Sequence, residues 1–229
     1  MPPWEWFLIV IVANPFALWL LFIMAVVLSI PVLNRIRTWQ TKHRFIAHEG
    51  SKLQNPQNAD ARFQLANIYA DGRSWRRAEE YAREAVKTAE ENPLYEGKVP
   101  YHFLRLLGEA LYHRGRYNEA ITTYEQALKA PSELGHTEAR FGMGKAHYGR
   151  GDFEKASACF QATLQENTSH LEAYFRTAQT ACRLGRGEEA AGILEEFRRV
   201  ARSLPQFAGK RRLRWRLAVA FFTITRGRL

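Results

Sequence analysis

An all-α solenoid of four helix-turn-helix repeats, closed by a C-terminal capping helix and preceded by one transmembrane helix, is the fold class this sequence predicts. Three observations lead there. A pattern of small and aromatic residues recurs at spacings of 36 and 34 residues along the second half of the chain. A glycine marks the turn inside three of the units, at Gly115, Gly151 and Gly185. Near the N-terminus, residues 6–33 form a run of 28 residues without a charge.

Residues 1–34 are the predicted anchor. Even residues 15–33 alone would rise roughly 28 Å as a helix at about 1.5 Å per residue, enough to cross a hydrocarbon core. Asn14 and Pro15 fit an N-cap followed by the first helical residue. A cleaved signal peptide needs basic residues ahead of a shorter apolar core, and this chain has no Lys or Arg before Arg35, so the segment is expected to stay. The small residues Ala13, Ala17, Ala25 and Ser29 would permit packing on other spans, which leaves a structural subunit of a larger membrane complex as the alternative reading.

Residues 35–57 form a basic linker. Arg35, Arg37, Lys42 and Arg44 follow the span directly, and basic flanks remain on the cytoplasmic side, so the repeats are expected there. Trp39 among them suits the membrane surface. Gly50 and the polar stretch behind it end this segment before the repeats.

The repeats occupy residues 58–204, as units of about 58–91, 101–134, 137–170 and 171–204. Gly108, Gly115, Ala120 and Tyr124 recur as Gly144, Gly151, Ala156 and Phe160. The last unit keeps Gly185, Ala190 and Leu194, with Ala178 for the first glycine, and the first unit has Ala66, Ala78 and Ala82. Trp75, Tyr117 and Phe153 share one place in the turn. Small residues let two helix backbones approach, and a glycine just past a helix end takes a left-handed conformation without a Cβ penalty. Residues 92–100 are an insertion between the first two units, either a specificity loop or a longer connection. Residues 205–229 repeat the start of a unit, with Arg216 on Arg140, Leu217 on Phe141, Ala220 on Gly144 and Gly227 on Gly151. They read as a truncated fifth repeat that caps the array, although their basic residues also suit a lipid surface.

This pattern resembles the tetratricopeptide repeat, in which small residues sit at positions 8, 20 and 27 of a roughly 34-residue unit. Position 8 is Ala66, Gly108, Gly144 and Ala178; position 20 is Ala78, Ala120, Ala156 and Ala190. Position 27 is Ala85 and Ala127 and then departs to Thr163 and Phe197. The resemblance implies a protein-binding superhelix whose concave surface is built from the first helices. Carried over residue by residue, the peptide groove is Asn67 and Asp71, then Arg105, Glu109 and Tyr112, then Lys145 and Tyr148, then Gln179 and Arg183. Phe63, Phe141 and Phe175 at position 5 either face the ligand or pack between repeats. The clamp for chaperone tails is incomplete, since Phe63 stands where a basic residue belongs. The layout is also similar to bacterial envelope-assembly adaptors that join an N-terminal span to cytosolic repeats, which implies a bacterial inner membrane.

Charge and chemistry narrow the function. The chain's net charge of +10 resides in the flanks, and the repeats are neutral, which argues against a nucleic-acid partner. His136 and His170 recur because the unit recurs, and the two cysteines, Cys159 and Cys182, lack metal-ligand spacing. His113 and His147 are expected as partly exposed polar residues. Carboxylates such as Glu79, Glu80, Glu195 and Glu196 alternate with arginines and are expected on solvated faces. Phosphate-loop, dinucleotide and nucleophile-elbow motifs are absent. No enzyme activity, catalytic residue, metal, cofactor or small-molecule substrate is expected. The expected role is a membrane-anchored adaptor for a protein or peptide.

Overall fold

A computed structural model describes residues 58–132 and 135–203 together with Trp215 and Val219. The chain divides between Gln54 and Asn55, and every described residue falls in the second unit. The predicted anchor, its stripe of small residues, and Arg35, Arg37, Trp39, Lys42 and Arg44 all lie outside the described residues. Among those described, no helix is long and apolar enough to cross a membrane.

The described residues form eight α-helices and no strand: α1 Ala59–Asp71, α2 Trp75–Glu91, α3 Tyr101–His113, α4 Tyr117–Lys129, α5 Thr137–Arg150, α6 Phe153–Glu166, α7 Leu171–Arg183 and α8 Gly187–Ser203. Each odd-numbered helix pairs with its successor, and each even-numbered helix rests on the next hairpin. The turn glycines Gly115, Gly151 and Gly185 hold φ of 75°, 96° and 74°, as their sequence positions require. In the first repeat the glycine comes one residue early, so Arg73 takes the left-handed place at φ 55°.

Size complementarity closes each hairpin. A Cβ on Gly108 would lie 2.8 Å from Tyr124 Cε1, and one on Gly144 would lie 2.7 Å from Phe160 Cε1. Both rings are fully buried where a methyl group would otherwise stand. Where position 8 is alanine, the buried residue at the place of Tyr124 and Phe160 is smaller, Ala82 in the repeat of Ala66 and Leu194 in that of Ala178. Tyr124 reaches on to Gly142 of the next repeat, where an added Cβ would run into the tip of its ring.

Arginines in the turns tie each hairpin to the one before. Arg114 and Arg116 each donate to Glu79 at 2.5 Å, Arg150 donates to Asn118 at 2.9 Å, and Arg186 donates to Glu154 at 2.8 Å. Glu79 therefore departs from the expected solvated face: it is 3% exposed and also accepts from Arg83 at 2.8 Å. Burial pushes its carboxyl up, but hydrogen bonds from Arg83 and Arg114 and the charge of Arg116 outweigh this and hold it below its ordinary value. His147 also departs from the expected partly exposed position, being buried with Nδ1 3.4 Å from Asp152.

The insertion folds back onto the first repeat. After a 3₁₀ turn at Pro93–Tyr95, the Tyr95 hydroxyl donates to Asp60 at 3.0 Å, and its ring lies 6.2 Å from Phe103. Leu94 beside it is 87% exposed. At the other end, Trp215 and Val219 are helical and buried against Leu171, Tyr174, Leu194 and Phe197. In the register of a fifth repeat, Trp215 stands where Ala139 does, another fully buried position.

Two outcomes follow for stability. Gly144→Ala should cost about 2 kcal/mol by overpacking, and most of this should be recovered in the Gly144→Ala/Phe160→Leu pair, as read from urea unfolding of both singles and the double. Glu79→Gln should cost about 2 kcal/mol near neutral pH, because three arginines lose a buried acceptor. Since the folded pKa of Glu79 is lowered, its stabilisation is complete above the unfolded value and is lost as pH falls through the folded one. A urea series in acid should therefore show the wild-type advantage over Glu79→Gln shrinking.

Candidate functional site

First helices line the inner side of the array. The α1 helix touches α3 and α3 touches α5, whereas no comparable contact joins α5 to α7 or one second helix to the next. Over the first three repeats the array thus curves with the odd-numbered helices inside, and residues spaced at one helical turn along them share a face.

Position 9 carries Asn67, Glu109, Lys145 and Gln179, and their surroundings differ. Glu109 accepts from Arg105 at 3.1 Å, a pair closed within one helix. Gln179 accepts from Arg176 at 3.1 Å, and Arg176 also faces Glu172 at 3.8 Å. Asn67 is partly buried on α1 and makes no hydrogen bond with a described residue. Lys145 is partly buried too, with Nζ 5.2 Å from the centre of the Tyr112 ring and 5.1 Å from that of Phe141. It has neither a hydrogen bond nor an ion pair with any described residue. Burial lowers its pKa from the usual lysine value, against the pull of Glu172 and Glu109.

Further along the helices, Tyr112 packs beside His113 at 5.0 Å and Tyr117 at 6.0 Å. Tyr148 lies against Phe153 at 5.2 Å, and its hydroxyl accepts from exposed Arg183 at 3.4 Å. Asp71 ends α1 in solvent. The structure thus gathers Tyr112 with Lys145, Arg105 with Glu109, and Tyr148 with Arg183, and leaves Asn67 and Asp71 apart from these groups.

The position-5 aromatics pack between repeats. Phe63 stacks on Phe103 at 4.7 Å, buried Phe141 sits 5.5 Å from Phe160 and 4.5 Å from His170, and Phe175 lies 5.6 Å from Trp215. His113 is also drawn into a junction, stacked on Trp75 at 3.8 Å. Sequence reasoning missed Arg176, whose Nε is buried without a hydrogen-bond partner. Its spacing of one helical turn from Glu172 was the available signal.

A cleft of about 670 Å³ opens between the second and third repeats, lined by Tyr101, His102, Arg105, Thr137, Glu138 and Asn167 among others. Tyr101 has a structural duty there, because its hydroxyl accepts from the Ala139 amide at 3.2 Å and so serves the N-terminus of α5 from another repeat. His170 does the same for its own helix α7, with Nδ1 accepting from Ala173 at 3.1 Å, and His136 donates from Nε2 to the Ala130 carbonyl at 2.8 Å. Among the described residues no group of His, Cys, Asp and Glu is placed to hold a metal ion.

Models of the tetratricopeptide repeat match residues 102–165 and, in a second form, residues 63–133 and 141–205. The chain belongs to the tetratricopeptide repeat family. Members of this family are protein-interaction scaffolds. Solved tetratricopeptide structures share the fold at low identity. PilW, a widely conserved type IV pilus biogenesis factor, is 19% identical with a TM-score of 0.62, covering 78% of this chain and 76% of PilW. YrrB, a tetratricopeptide protein with an unusual peptide-binding site, is 19% identical with a TM-score of 0.59, covering 74% of this chain and 83% of YrrB. MamA of Desulfovibrio magneticus RS-1 is 16% identical with a TM-score of 0.61, covering 77% of this chain and 92% of that one. A curated relative, the RNA polymerase-associated protein CTR9 of Saccharomyces cerevisiae, is 28% identical over 107 residues, 45% of this chain; the match spans only 10% of that protein's length.

Tyr101→Phe should remove the bond to the Ala139 amide while keeping the ring, at a cost of about 1 kcal/mol. Amide hydrogen exchange should show faster exchange confined to the first turn of α5.

Proposed function

We propose that this protein is a non-enzymatic adaptor, anchored to a membrane by its N-terminal segment, whose concave groove holds a protein or peptide partner at the cytoplasmic face. The observation that carries the groove is the pair of partly buried polar side chains, Asn67 and Lys145, that no described neighbour satisfies. Their polar atoms are reached by solvent and are not tied up by neighbouring side chains, so on an inner surface they are open to an incoming chain. Tyr112 and Tyr148 beside them supply apolar area with a polar tip, the kind of side chain enriched at interfaces.

The charge-free run at 6–33 and the basic residues Arg35, Arg37, Lys42 and Arg44, with Trp39, support the anchor and its orientation. A bacterial inner membrane is the setting this reading favours, and PilW offers a precedent for the fold in bacterial pilus biogenesis. Burial of Trp215 and Val219 on the last hairpin supports a closing helix within residues 205–229, which a solenoid needs at its end.

The chain should be recovered with membranes after alkaline carbonate washing, and affinity purification from detergent-solubilised membranes should yield a defined partner. Arg105→Glu combined with Tyr148→Ala should lose that partner while keeping its helical circular dichroism. An unchanged partner set would refute recognition by the groove, and release by carbonate would refute the anchor.

A further inference from the structure

We propose that the cleft between α6 and α8 is a second docking site, which takes a basic helical segment of a partner protein through an arginine, an apolar residue and a second base set along one helical face. The site is separate from the groove and does not rest on the reading above.

The cleft follows from the topology. The two helices of a hairpin are antiparallel, so second helices of successive repeats run the same way, yet α6 and α8 do not close on each other. Between them lies a space of about 450 Å³ whose floor is Tyr174 and Thr177 of α7. At about 100° per residue, these two positions fall on the side of α7 opposite to Gln179 and Arg183, the residues assigned to the groove.

The two walls match. Gln161, Leu164 and Gln165 face the cleft from α6, and Glu189, Ile193 and Glu196 face it from α8, so each wall sets an apolar residue between polar ones. Glu189 and Glu196 stand two helical turns apart, roughly 10 Å, with Ile193 between them. Among the described residues no basic side chain lines the cleft. Glu196 makes no ion pair with a described residue, and Glu189 has only a long contact of 3.9 Å with Arg186, which Glu154 holds at 2.8 Å.

The floor points to a ligand independently of these charges. Tyr174 is 5% exposed, and its hydroxyl makes no hydrogen bond with a described residue. That hydroxyl is not sealed in the core, so it is the cleft that reaches it. Thr177 beside it is already satisfied, donating to the Ala173 carbonyl at 2.8 Å. A ring so enclosed normally ends on a polar partner, and here the partner has to come through the cleft. Burial, and after it the charge of Glu196, pushes the Tyr174 phenol up against the pull of Arg199, so the group is neutral at physiological pH and its oxygen is free to accept.

Arginine suits every part of this lining. Its methylene stem lies on Leu164 and Ile193, and its planar head donates to the phenol oxygen and to a carboxylate at once. Helical presentation follows from the two-turn spacing, since positions i, i+4 and i+7 of a partner helix repeat the acid–apolar–acid order of α8 with the charge reversed. An acidic or phosphorylated segment would meet the two carboxylates and be repelled.

The probe is a library of helical peptides with randomised surface positions, displayed on phage and selected on the purified full-length chain in detergent. Winners should share the base–apolar–base stripe with at least one arginine, and a synthesised winner should bind Glu189→Gln/Glu196→Gln about tenfold or more weakly than wild type. Tyr174→Phe should weaken the same peptide about fivefold while leaving urea unfolding of the chain unchanged, because the hydroxyl it removes has no partner in the protein. Replacing the winner's arginine by methionine should cost binding to the wild type and nothing further against the double glutamine variant. Winners without a base, equal binding to wild type and the double glutamine variant, or a selection that yields no peptide would each overturn the proposal. Peptides that bind the double glutamine variant but lose Arg105→Glu/Tyr148→Ala would belong to the groove, overturning the second site and leaving the groove reading in force.

Discussion

The close approach of two helices within each hairpin is the constraint on which the rest of the structure depends. Helices that pack at ordinary distance leave space for a side chain on both sides, whereas here one partner gives up its side chain so that the other can bring a ring. Gly108 admits Tyr124, and Gly144 admits Phe160. The outer hairpins carry alanine at the same place and a smaller residue, Ala82 or Leu194, at the place of the ring. A hairpin so formed still exposes one apolar face, and only the next hairpin can cover it. Local size matching thereby becomes an array.

Polar contacts then set how one hairpin sits on its neighbour. The turn arginines Arg114, Arg116, Arg150 and Arg186 all reach backward to the preceding repeat, and the strongest case buries Glu79 among three guanidinium groups. Such contacts add direction to packing that hydrophobic burial alone would leave loosely defined. They also account for the electroneutrality of the repeats, because many of their charges are spent on one another. On the inner surface the same economy leaves Lys145 as an exception, caught between rings and not paired with an acid.

The helices, their turns and the register of the repeats were legible in the sequence because glycine, alanine and aromatic residues mark positions that only one geometry satisfies. Gly115, Gly151 and Gly185 illustrate this, each with the left-handed backbone its place demands. The first repeat was harder, since Arg73 occupies that conformation where the other repeats use glycine. The inner surface was legible only as a set of positions. Spacing along a helix identifies Arg105 and Glu109 as neighbours, and the repeat register sets Lys145 at the place of Glu109 in the next unit, but neither tells that the first two pair with each other and that the third pairs with neither. Glu79 and His147 eluded sequence reasoning for a related reason: their burial is created by residues of a neighbouring element, which helical periodicity within one segment does not register.

The way the inserted connection is fastened has a practical side. Tyr95 clasps Asp60, and burial together with this hydrogen bond pushes the phenol up to about 12, so the clasp holds throughout the physiological pH range. Leu94 next to it points away from both repeats it joins. A Leu94→Cys substitution would offer a thiol there for a fluorophore, which would ride on a fastened platform and report on the junction of the first two repeats.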